Sequence, residues 1–145
     1  MPFKFEKLEV WRMSLEYADL IYAIAETLPR SEDYNLKSQI TRAATSVALN
    51  IAEGSQGQTD AEQARFLGLA LRSLVETVAC QHLISRRKLL VDAQPLRDAY
   101  RQAEELAAKL QVFRSTISPE QKWLREVPTE YKPLSDTENE FPHLT

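Results

Sequence analysis

Residues 39–54 read Gln39-Ile40-Thr41-Arg42-Ala43-Ala44-Thr45-Ser46-Val47-Ala48-Leu49-Asn50-Ile51-Ala52-Glu53-Gly54. Ile40, Ala43, Ala44, Val47, Ala48 and Ile51 recur at intervals of three and four, the spacing that puts side chains on one face of an α-helix. Leu36 extends the stripe upstream, so the spacing predicts a helix over about 33–53. Its small residues permit a neighbouring helix to approach closely. A second stripe of Gln39, Arg42, Ser46, Asn50 and Glu53 follows the same period and shares one side. Gly54 is expected to take the left-handed conformation that ends helices, ahead of the polar loop Ser55-Gln56-Gly57-Gln58.

Three more helices flank this one. The first should span about 8–28 and end before Pro29. It carries two apolar stripes, Leu8, Trp11, Leu15, Ala18, Tyr22, Ala25 and Val10, Tyr17, Ile21, Ile24, Leu28. Together they make an apolar arc wide enough to meet more than one partner surface. The third helix opens at Thr59-Asp60-Ala61-Glu62, where Thr59 can accept from a backbone amide while Glu62 reaches back. Phe66, Ala70, Ser73, Thr77, Cys80, Ile84 and Leu67, Leu71, Leu74, Val78 mark its core stripes. It should run to about Lys88, where Arg86, Arg87 and Lys88 suit the negative end of the helix dipole. The fourth starts near Asp92, tolerates Pro95 in its first turn and ends near Ser115, with Leu96, Tyr100, Ala103, Leu106, Leu110 and Phe113 as its buried face. The linkers are short, so consecutive helices should be antiparallel neighbours. The expected fold is all-α, an up-down-up-down four-helix bundle over residues 1–116.

Composition agrees with that class. A chain of 145 residues suits one domain. Only three glycines occur, too few for the turns of a strand-rich fold. Residues 1–116 hold 15 basic and 15 acidic side chains, and residues 117–145 hold 3 and 6. The net charge of −3 therefore belongs to the tail, which also holds four of the seven prolines. Acid and proline enrichment predict an extended or disordered segment over 117–145. Its Trp123, Leu124, Tyr131, Leu134 and Phe141 leave docking as the alternative. No apolar run is long enough to span a bilayer, and no signal-like run opens the chain. The expectation is a cytoplasmic protein with no membrane association.

The residues that break the apolar pattern are the candidates for function. Asn50 falls on the bundle-facing line of Leu36, Ile40, Ala43 and Val47. A buried asparagine needs hydrogen-bond partners, so it either sets register, caps the turn at Gly54 or contacts a ligand. Glu76 lies in line with Leu69, Ser73, Cys80 and Leu83, where a carboxylate would need a cation such as Arg42 or Arg72. Cys80, the sole cysteine, reads as core. The two histidines, His82 and His143, are far apart. No Cys or His cluster has metal spacing, and no glycine-rich phosphate loop or nucleophile–base pair stands out. Catalytic residues, cofactors and metal ligands are all expected to be absent. Arg86, Arg87, Lys88, Arg97 and Arg101, with Arg42, are the candidate nucleic-acid surface, against the plainer alternative of a solvated helical face.

Several of these residues also carry a family resemblance. The entry Phe5-x-x-Leu8-x-Val10-Trp11, the run Gln39-Ile40-x-Arg42-Ala43-x-x-Ser46, the ending Asn50-Ile51-Ala52-Glu53-Gly54, and Phe66-Leu67 with Ala70, Ser73 and Glu76 resemble the four-helix bundle family of proteins encoded in intervening sequences of 23S rRNA genes. The likeness spans roughly residues 3–115. It implies a homopentamer, a ring of bundles around a central channel, without catalysis and with a suspected tie to ribosomes or rRNA. A related branch, the accessory variability determinant of diversity-generating retroelements, is a basic pentamer that binds nucleic acid and a reverse transcriptase. This chain departs from that branch in its neutral body and acidic tail. The resemblance leaves RNA or a nucleic-acid-binding protein as the expected partner, beside self-association. The alternative is a protein-interaction adaptor that docks through the loop between the second and third helices or through the tail.

Overall fold

A computed structural model describes residues 3–57 and 59–118. The sequence expectations for the tail, extended or docked, lie outside the described residues. The described residues contain four long helices, α1 (Glu9–Glu26), α2 (Leu36–Ser55), α3 (Asp60–Arg86) and α4 (Gln94–Ile117), with 3-10 turns at Lys4–Lys7 and Arg30–Glu32. α1 packs on α2 and α4, and α3 packs on the same two, so α2 and α4 face each other across the diagonal. Cross-helix contacts give the antiparallel register. Tyr22 meets Thr45 between α1 and α2, Ser46 meets Ser73 between α2 and α3, and Glu9 meets Lys109 between α1 and α4. The fold is the up-down-up-down bundle that the periodicity predicts.

Helix ends follow local chemistry. The Thr59 hydroxyl accepts from the Glu62 backbone amide at 3.1 Å. Asp92 accepts from the Gln94 amide at 3.0 Å and Pro95 lies in the first turn of α4. α3 ends in a Schellman arrangement, in which Leu89 N–H bonds Ile84 O and Lys88 N–H bonds Ser85 O. Lys88 holds the left-handed position there, at φ 55.

Gly54 is a correction. It lies inside the last turn of α2, and no glycine has positive φ among the described residues. A Cβ at Gly54 would stand 2.8 Å from the Phe66 Cβ, so what this position needs is closeness rather than a left-handed turn. Glycine lets α2 and α3 approach at their shared loop.

The core is the expected one. Ile21, Ile40, Val47, Ile51, Leu67, Ile84, Leu96, Leu106 and Leu110 are fully or almost fully buried. The two stripes of α1 diverge. Val10, Tyr17, Ile21, Ile24 and Leu28 are buried, whereas Leu15 and Tyr22 remain 42% and 45% exposed. Trp11 is half-buried, its ring edge-on to Phe5 at 4.7 Å. Part of the wide arc thus faces no element of the described bundle.

Candidate nucleic-acid interface

The six candidate cations do not form one surface. Arg86, Arg87 and Lys88 are exposed where α3 ends, and their charge offsets the unpaired carbonyls of the last turn. His82 and Tyr100 stack edge-on at 6.2 Å. That contact sets Arg97, three residues before Tyr100, level with Ser85 and so beside Arg86 across the antiparallel α3–α4 pair, with Arg101 one position beyond Tyr100. Arg97 is half-buried and Arg101 exposed. These five therefore share the end of the bundle where α3 passes into α4. Arg42 does not join them. It is exposed on α2, diagonal to α4, and its Nε bonds only its own helix, at Ser38 O, 3.4 Å. Two further cations are engaged elsewhere: Lys109 pairs with Glu9 at 3.3 Å, and Arg114 is buried against Gly68.

The polar stripe of α2 does share one side, and that side faces out. Gln39, Arg42 and Glu53 are exposed, while Ser46 and Asn50 are half-buried at the seam with α3. Asn50 Nδ2 donates to Ser46 O at 2.8 Å and to Ser46 Oγ at 3.0 Å. Ser73 Oγ donates to the same Ser46 Oγ at 2.9 Å. Asn50 thus neither caps the turn at Gly54 nor lies buried on the bundle-facing line. It folds back one turn to hold Ser46, which bridges to α3. Glu76 is a second correction. The line through Leu69, Ser73, Cys80 and Leu83 straddles the edge of the buried arc: Cys80 is buried, whereas Glu76 and Leu83 are exposed. Among the described residues the carboxylate pairs with neither Arg42 nor Arg72, and, being exposed, it needs no cation to offset burial.

The buried polar cluster joins two residues of the expected core stripes, Tyr17 and Thr77, to one that the stripes leave out, Gln81. Tyr17, Thr77 and Gln81 are at most 1% exposed. Thr77 Oγ1 donates to Leu74 O at 2.6 Å, which uses its one proton. The Tyr17 hydroxyl therefore donates to Thr77 Oγ1 at 2.7 Å and accepts from Gln81 Nε2 at 2.7 Å. Burial pushes the Tyr17 hydroxyl's ionisation far upward, against the lowering effect of its two hydrogen bonds. Burial likewise pushes the Cys80 thiol up, and Glu76 adds to the shift. That direction suppresses the thiolate a nucleophile needs. The signal for Gln81 was available: it lies four residues after Thr77 and three before Ile84, on the core side of α3. Among the described residues no group of three His, Cys, Asp or Glu side chains is placed to hold a metal ion. No helix there is long and apolar enough to cross a membrane.

Comparison with known proteins places this architecture. A family model described as 23S rRNA-intervening sequence protein matches residues 6–112. Among solved structures, the chain is similar to a protein with unknown function from the S23 ribosomal protein family from Bacteroides thetaiotaomicron. The two are 25% identical with a TM-score of 0.65, and the match covers 75% of this chain and 98% of the other. No curated protein matches.

Proposed function

The chain belongs to the 23S rRNA-intervening sequence protein family, and from that membership we propose that it is a non-enzymatic, self-associating bundle that presents a basic edge to RNA or a ribonucleoprotein partner. The assembly is the ring of five that the family resemblance implies, working in the cytoplasm where ribosomal RNA is found.

One observation carries the self-association: the apolar surface left open along α1 and α2. Tyr22 donates to or accepts from Thr45 at 2.7 Å. Leu49 is one turn beyond Thr45, and α2 runs antiparallel to α1, so Leu49 stands between Tyr22 and Leu15. Leu15, Tyr22 and Leu49 are 42%, 45% and 58% exposed. Fully burying a leucine side chain is worth roughly 1.5–3 kcal/mol, so a contiguous stripe favours contact with another copy. The RNA reading draws on the five cations at the α3–α4 end. Each alone is a weak phosphate contact, and fivefold repetition multiplies weak contacts through effective concentration. The neighbour's attribution to a ribosomal protein family supports the same direction. The non-enzymatic reading draws on Cys80, whose burial disfavours the thiolate a nucleophile needs.

Two measurements test this. Light scattering should report about five times the 16.6 kDa chain mass, and a monomer would refute the ring. A mobility assay with structured RNA should show binding that weakens steeply with salt, as counterion release requires. No binding at low salt would remove RNA from the proposal.

A further inference from the structure

The α3–α4 end of the bundle carries a groove beside its cations. Leu20, Ala23 and Ile24 of α1 form one wall, and Leu89, Leu90 and Val91 form the other. Its volume is about 510 Å³, room for an aromatic side chain and its neighbours. Val91 is fully exposed, and Leu89 and Leu90 are half-buried. Arg86, Arg87 and Lys88 run directly into this wall, and Arg97 follows it. Asp92 and Asp98 lie in the same stretch, leaving the edge net positive.

The same sequence contains a segment with the complementary chemistry. Residues 134–141 read Leu134-Ser135-Asp136-Thr137-Glu138-Asn139-Glu140-Phe141, with three acids and no cation. Three acids directly followed by Phe141 give one short segment both the anionic and the aromatic element that this edge and its groove would take. The chain can reach. α4 spans 24 residues, which at 1.5 Å each is about 36 Å. Residues 119–133 extended cover roughly 50 Å.

We propose that residues 134–141 bind the α3–α4 end of their own chain, with Phe141 in the groove and Asp136, Glu138 and Glu140 on Arg86, Arg87 and Lys88. The segment then occupies the cations assigned above to RNA, and RNA must displace it. This regulatory consequence rests on the RNA reading; the contact itself does not. Exposed ion pairs are individually weak, but a tethered segment acts at an effective concentration near millimolar.

The test uses the full chain and three variants. One is Asp136→Asn/Glu138→Gln/Glu140→Gln, the second is Phe141→Ala, and the third removes equal charge elsewhere as Glu120→Gln/Glu126→Gln/Glu130→Gln. Backbone amide resonances of residues 86–91 are followed by NMR. They should move in the first two variants and stay in place in the third. The first variant should also bind structured RNA several-fold more tightly than the unaltered chain at low salt. Unmoved resonances in the first two variants, or equal movement in the third, would overturn the contact. Movement that grows with protein concentration would place the segment on another copy and overturn the same-chain assignment. Selective movement with no RNA binding by any form would uphold the contact and sink the RNA reading alone.

Discussion

The buried chain from Gln81 through Tyr17 and Thr77 to the Leu74 carbonyl, and the seam chain from Asn50 and Ser73 onto Ser46, use similar side-chain groups in opposite surroundings. Each joins two helices. The first lies where water cannot replace a lost partner, because Tyr17, Thr77 and Gln81 are at most 1% exposed. The second lies at the half-exposed edge of α2 and α3, where water can. A hydrogen bond's net worth is modest, while a buried group left without one bears its full desolvation cost. Position, more than the number of bonds, should decide what each cluster contributes.

The largest effect is expected from Thr77→Val, which keeps the shape and removes the acceptor. The Tyr17 hydroxyl then loses its acceptor, and a flip of the Gln81 amide to offer Oε1 would leave Gln81 Nε2 unpaired instead, so a buried donor goes unpaired either way, at a cost of about 2 kcal/mol. The Leu74 carbonyl loses only its second bond. Urea unfolding should show a lowered midpoint with an unchanged slope. A change below about 0.5 kcal/mol would mean that the interior cluster is not dry and would erase the contrast.

Gly54→Ala sharpens the contrast from the other side. It asks whether the seam is held by packing rather than by its polar bonds. The added methyl would stand 2.8 Å from Phe66 Cβ and 3.4 Å from Gln63 O, so α2 and α3 must part. Overpacking of this kind costs roughly 1–3 kcal/mol, partly offset by about 1 kcal/mol of helix propensity. A net loss of about 1 kcal/mol in thermal or urea unfolding is expected. A gain in stability would show that the seam has slack.

The helices were legible because burial repeats with their period, as in Leu36, Ile40, Val47 and Ile51. The polar sites were less so. The sequence places Asn50 and Glu76 on apolar lines, yet a three-and-four line zigzags by about 40° around the helix axis. In α3 the members on one side of that zigzag, Ser73 and Cys80, turn toward the bundle, and those on the other, Glu76 and Leu83, turn toward solvent. Gln81 is hidden for the converse reason: glutamine looks like surface until its neighbours Thr77 and Ile84 are seen to face the core. The sequence marks Gly54 as a helix end but not why, since it cannot distinguish a glycine kept for its torsion from one kept for the methyl it lacks. The five cations at the α3–α4 end follow from register alone. Exclusion of Arg42 required knowing which helices lie on the diagonal.

The smallest effect should come from Asn50→Ala, the residue that looked most like a register-setting asparagine. Its amide makes two bonds, both to Ser46 of its own helix. Removing it deletes no bond between helices, for Ser73 still donates to Ser46 Oγ. The Ser46 carbonyl remains the acceptor of the helical backbone bond, and the half-exposed site admits water. Alanine also has the better helix propensity, by several tenths of a kcal/mol. The two terms nearly cancel, and the stability of the isolated bundle should change by less than about 0.5 kcal/mol in urea unfolding. If Asn50→Ala instead cost as much as Thr77→Val, the seam would have to be a dry contact, covered by something other than its own four helices. In that case the mass measured by light scattering should fall for the same variant, because the covering surface would be another copy.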